Sequence, residues 1–149
     1  MKAIAGWLEG FSLVECLVVL VLAGIIAAVA LPNIRQLQLE WGLWGGMGSF
    51  EAALQWGRLH AVTSNAPLIL SIAEDGRSWR WIDARTKDAL RNSSRTLPPG
   101  LQITSMPKSP LRFYEHGNAA PAGTFVITGE AGSWSVVVSP GGRIRVEKY

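Results

Sequence analysis

Three groups of side chains in the 149-residue sequence could carry chemistry. Glu15 is the only charged residue between Glu9 and Arg35, and it stands near the start of a long apolar run. A carboxylate at the centre of a membrane helix costs about 2.5 to 3.5 kcal/mol on insertion scales, less near an end, and persists where a counter-ion meets it. Cutting the chain between Gly10 and Phe11 would create that counter-ion, because the new Phe11 amine would head a helix whose fifth residue is Glu15. Gly10 suits such a cut, since a residue without Cβ lets the backbone extend closely into a protease cleft. The second group is Gly142-Arg143-Ile144-Arg145. On a strand, alternate residues share a face, so Arg143 and Arg145 point together while Ile144 and Val146 face inward. Two guanidiniums about 6.6 Å apart can address neighbouring phosphates of one nucleic-acid strand, through contacts that are sequence-independent and salt-sensitive. Lys148 can extend this basic edge, and Arg112 or Lys108 can join it if their strands are adjacent. The competing reading is a solvated strand edge whose charges guard against aggregation. The third group is His60 and His116, the only histidines. Neither has metal-ligand spacing, and there is no nucleophile elbow or paired-carboxylate pattern, so no enzyme, metal or cofactor is expected. Cys16 reads as a small hydrophobe without chemistry, and a single cysteine excludes an intrachain disulfide framework.

Composition sets the elements that must hold these groups. At 48% apolar and 17% charged residues the chain is too hydrophobic for a disordered one, and a net charge of +3 does not by itself mark a nucleic-acid or membrane-surface protein. The run from Phe11 to Leu31 covers roughly 31 Å as a helix at about 1.5 Å per residue, enough to cross a bilayer. Ala28-Val29-Ala30 has the form of a signal-peptidase site, which would start a mature chain at Leu31. The acidic flank before the run and Glu15 within it both argue against that reading. Pro32 closes the run and predicts a bend in a continuing helix. Beyond it Ile34, Leu37, Trp41, Trp44, Met47, Phe50 and Leu54 recur at threes and fours, the spacing of one helical face. Gly42, Gly45, Gly46 and Gly48 weaken that helix, and Gly45 to Ser49 lacks the lysine and preceding strand of a phosphate-binding loop. Trp41, Trp44 and Trp56 read as packing or interface aromatics.

After Asn65-Ala66-Pro67 the period changes to two. Strands are expected at Leu68 to Ala73 and Ser78 to Asp83, joined through an Asp75-Gly76 hairpin. Further strands are expected at Leu101 to Thr104, Leu111 to Tyr114, Thr124 to Thr128, Ser133 to Ser139 and Ile144 to Glu147. Ala84 to Gly100 reads as a polar surface loop, and Gly117 to Gly123 as a loop. The division is a leader at 1–10, a membrane helix at 11–32, an amphipathic helix at 33–65 and a β-rich head at 66–149. So small a head needs burial against the second half of the helix.

Gly10-Phe11-Ser12-Leu13-Val14-Glu15 resembles the processing motif of type IV pilins and type II secretion pseudopilins. The layout as a whole resembles the GspH/FimT family of minor pseudopilins, through that motif, Gly57-Arg58-Leu59-His60-Ala61, the Phe113 to Gly117 turn and the Val136 to Arg145 segment. The resemblance implies an α+β, pilin-like fold, with one long helix followed by a small head of two antiparallel sheets. It implies that a prepilin peptidase removes residues 1–10 on the cytoplasmic side and methylates the Phe11 amine. It further implies that Glu15 pairs with the terminal amine of a neighbouring subunit. The expected protein is a single-pass inner-membrane subunit, its head periplasmic or otherwise extracytoplasmic, that joins other pilin or pseudopilin subunits in a pilus-like fibre. Gly142-Arg143-Ile144-Arg145 also resembles the Gly-Arg-x-Arg element by which FimT-type pilins bind DNA in natural transformation, which gives DNA uptake as the alternative function. Family members often carry an acid where His60 stands.

Overall fold

The computed structural model describes residues 12–148, so Gly10 and Phe11 lie outside the described residues. One helix, α1, runs from Leu13 to Thr63 and continues through Pro32. The Ser12 carbonyl accepts the first helical bond from the Cys16 amide at 3.2 Å. At the other end Asn65 takes a left-handed conformation with φ 49°. The Asn65 amide then bonds the Val62 carbonyl and the Ala66 amide the Ala61 carbonyl, a Schellman ending after which Pro67 forbids another turn. Two compact units divide at Leu37/Gln38. In the first unit, Leu13 to Val29 is apolar and exposed apart from Glu15, and α1 is long and apolar enough to cross a membrane.

Among the described residues the second unit holds nine strands: β1 Leu68–Ile72, β2 Ser78–Asp83, β3 Arg95–Thr96, β4 Gln102–Ser105, β5 Arg112–Phe113, β6 Ala119–Ala120, β7 Gly123–Gly129, β8 Gly132–Val138 and β9 Ile144–Lys148. They form two sheets, ordered β3-β2-β1-β5-β6 and β4-β7-β8-β9. Every pairing is antiparallel. The β1–β2 hairpin turns at Gly76 with φ 65°, as the Asp-Gly pair requires. The Gly76 carbonyl then accepts from the Ile103 amide at 2.8 Å, tying the first sheet to the second.

The core lies where the second half of α1 meets both sheets. Phe50 is fully buried, its ring edge-on to Trp79 of β2 at 5.1 Å and to Phe125 of β7 at 5.4 Å. Burying one such ring contributes about 1.5 to 3 kcal/mol. Leu43, Met47, Leu54 and Ala61 continue this inward face. Gly46 and Gly57 belong to it as well: a Cβ at Gly46 would run into Leu101, and one at Gly57 into the Trp81 ring.

This corrects the expected helical face at its start. Met47, Phe50 and Leu54 are buried, whereas Trp41 is 72% and Trp44 65% exposed and Ile34 and Leu37 are exposed too. Both arcs of the helix are apolar there, so periodicity alone could not choose between them. The segment from Ala84 to Gly100 is more than a surface loop, because Ser93 and Leu97 are buried and Arg95–Thr96 pairs with β2. The loop expected from Gly117 to Gly123 contains β6, which pairs with β5.

Candidate functional site

The described site residues of the first unit are Pro32, through which α1 continues, and Glu15, exposed in the first turn of α1, where a negative charge complements the helix dipole. Cys16 beside it is a free, exposed thiol.

In the second unit three separated segments of sequence converge. The Arg58 Nε–H donates to the Gly117 carbonyl at 2.9 Å, and its Nη2 reaches the Gly141 carbonyl at 3.5 Å. Gly117 and Gly142 both have left-handed φ, 79° and 73°, and a Cβ on Gly142 would collide with the Gly117 carbonyl. Glycine at 142 is thus dictated by conformation and by close approach together. The Ala119 amide donates to the Pro140 carbonyl at 2.9 Å, which pins the β8–β9 turn to the β5–β6 turn. Within the turn, the Gly142 amide donates to the Ser139 carbonyl and the Arg143 amide to the Ser139 hydroxyl. An open groove of about 870 Å³ runs beside this junction, lined by Trp56, Leu59 and Val62 of α1 and by His116, Arg143 and Ile144. Trp56 is stacked on His60 at 4.7 Å.

Arg143 and Arg145 are exposed, and neither makes an ion pair among the described residues. The Ser139 amide donates to the Arg143 carbonyl and Arg145 lies opposite Val137, so the pleat sets both arginines on one face. Lys148 departs from the expected basic edge. It lies opposite Trp134, on the face that Ile144 and Val146 share with the buried Val136 and Val138. Arg112 and Lys108 do not join either. Arg112 sits on β5 of the other sheet with its guanidinium 5.9 Å from the centre of the Tyr114 ring, and Lys108 lies between β4 and β5. Sequence reading passed over Arg58 as a functional anchor, although its place within Gly57-Arg58-Leu59-His60-Ala61 was the available signal.

His60 and His116 are not brought together with acids or cysteines into a ligand set, and among the described residues no group of three or more such side chains could hold a metal. Glu115 forms an ion pair with Arg85 at 2.9 Å. Its carboxyl is held below the usual range, first by a hydrogen bond to its own backbone amide and then by Arg85.

The model of the type II transport protein GspH matches residues 47–142, which takes in the helix from Met47 onward, the first sheet, β4, β7 and β8 of the second sheet and the Arg58 junction. The chain belongs to the GspH family. Among solved structures, the GspH-like fold resembles the type IV minor pilin FimU of Pseudomonas aeruginosa, at 21% identity and a TM-score of 0.61, over 70% of this chain and 87% of that one. It also resembles the minor pseudopilin EpsH of the Vibrio cholerae type 2 secretion system, at 20% identity and a TM-score of 0.54, over 68% and 92% of the two chains. No curated protein matches the sequence. The pilin-like fold expected from the residues is therefore the fold observed, a long N-terminal helix followed by two antiparallel sheets. GspH-family membership places the chain among type II transport proteins.

Proposed function

We propose that this GspH-family chain is a minor fibre subunit of a type II secretion or type IV pilus machine, inserted in the bacterial inner membrane by its N-terminal helix with the head on the periplasmic side. A prepilin peptidase cuts it between Gly10 and Phe11 and methylates the Phe11 amine. Glu15 then draws in the amine of an adjoining subunit, and Pro32 bends the helix as the subunits bundle. The observation that carries this reading is the exposed apolar run from Leu13 to Val29 with one charged side chain, Glu15, in its first turn. A lone acid there needs a partner, and a processed neighbour supplies one of opposite sign.

The test replaces Glu15 with alanine and follows the chain into membranes and into sheared fibres. Membrane insertion with loss from the fibre is expected. Normal incorporation of Glu15→Ala overturns the pairing role.

DNA capture is the second reading, favoured by the exposure of Arg143 and Arg145 on one face beside a turn fixed by Arg58. It predicts duplex-DNA binding by the full chain in detergent that weakens steeply with salt, and weakens further in Arg143→Gln and Arg145→Gln. Binding that is absent, or indifferent to both changes, rejects it.

A further inference from the structure

The two sheets have four edges, and three of them are poor templates for another strand. Edge strands β3 and β6 have two residues each. At the edge formed by β4 the register breaks between Ile103 and Ser105. Shortness and bulges are standard means of keeping an edge from pairing. The remaining edge, β9, pairs with β8 over five residues in unbroken register.

The direction of its backbone groups follows from one bond. The Ser139 amide donates to the Arg143 carbonyl, so Arg143, Arg145 and Glu147 turn their backbone groups toward β8. Ile144, Val146 and Lys148 turn theirs outward, and no other backbone group among the described residues bonds to them. A row of open donors and acceptors specifies another strand as its partner.

The side chains specify which strand. Arg145 and Glu147 are both exposed on one face, two residues apart and opposite in sign. In an antiparallel pairing of β9 with β9 of a second copy, the outward-turned residues must face one another. If Ile144 faces Ile144 of the second copy, Arg143 opposes Arg145. If Ile144 faces Val146, each Arg143 opposes a Glu147 but the two Arg145 side chains oppose one another at the centre. If Val146 faces Lys148, Glu147 opposes Glu147. Only with Val146 opposite Val146 does each Arg145 stand across from a Glu147 with no like charges of β9 facing one another. That pair falls at a non-hydrogen-bonded position, where side chains are closest. Like charges across strands destabilise and opposite charges stabilise. We propose that β9 is a self-complementary edge through which two copies of this chain join their four-stranded sheets into one of eight, about a two-fold axis at Val146. An isologous contact of this kind closes on itself and uses each edge once. The proposal is independent of Phe11 processing and of the pairing role of Glu15.

The experiment measures self-association of the nuclease-treated full chain in detergent by sedimentation equilibrium. It compares the native sequence with Arg145→Glu, Glu147→Arg and the double exchange. The expected result is a dimer that each single change weakens about tenfold and the double exchange restores. A second measurement mixes Arg145→Cys with Glu147→Cys chains, both in a Cys16→Ala background. Disulfide-linked dimers should form in the mixture and not in either preparation alone. A chain that stays monomeric, a dimer indifferent to the single changes, or a double exchange as weak as the single changes overturns the proposal.

Discussion

The Arg58 Nε–H donates to the Gly117 carbonyl at 2.9 Å, joining residues 59 positions apart. The same guanidinium reaches the Gly141 carbonyl, so one helical side chain fixes two glycine turns that no strand pairing connects. Charge-assisted hydrogen bonds of this kind are worth about 1.5 to 3 kcal/mol, and solvent at the exposed side lowers that. Arg58→Gln is expected to cost about 1.5 kcal/mol of stability. Chemical denaturation of the full chain in detergent checks it, and an unchanged midpoint would remove Arg58 from the account of the junction.

Two glycines of α1 should respond to alanine in opposite directions. Gly57 lies against the Trp81 ring, with no room for a Cβ, while Gly48 has nothing within 4 Å of that position. Helix propensity alone would make both changes stabilising by about 1 kcal/mol. Overpacking reverses the sign at Gly57, where about 1 to 3 kcal/mol of destabilisation is expected. Denaturation of Gly57→Ala and Gly48→Ala side by side reads the contrast.

Ser93 is buried and holds the centre of the segment between β2 and β3. Its hydroxyl accepts from the Trp81 amide at 3.1 Å and donates to the Leu90 carbonyl at 2.8 Å. Ser93→Ala leaves that amide buried without its partner, at a cost of about 1 to 3 kcal/mol. Amide hydrogen exchange at Trp81 should accelerate in the variant.

The folded state holds the Glu115 carboxyl below its ordinary value, so its stabilising contribution is complete above the ordinary carboxylate range and is lost as pH falls through the lowered value. The bond to its own backbone amide is the larger cause and Arg85 the smaller. In Arg85→Gln the Glu115 titration, followed by carboxyl NMR shifts, should move up yet stay below that of an ordinary glutamate. A return all the way to the ordinary value would make Arg85 the principal cause instead.

Much of this architecture is legible in the residues. Alternation and the Asp75-Gly76 turn locate β1 and β2, and Asn65-Ala66-Pro67 marks the end of the helix. Other features are decided by tertiary contacts that leave little local trace. Arg95–Thr96 and Ala119–Ala120 are two-residue strands, too short to show a period. The buried arc of α1 was misread at Trp41 and Trp44 because large apolar residues line both sides of the helix. The better clue was small rather than large, since Gly46 and Gly57 sit where Leu101 and Trp81 come against the backbone. Arg143 and Arg145 share a face as strand alternation requires. The same alternation, carried on to Lys148, already excluded it from that face.

The most direct test of the fibre-subunit account is the intact mass and N-terminal sequence of the native protein recovered from membranes. The account predicts a chain that begins at Phe11 with a methylated amine. A chain that begins at Leu31, or one that retains Met1 to Gly10 in assembled fibres, would contradict it.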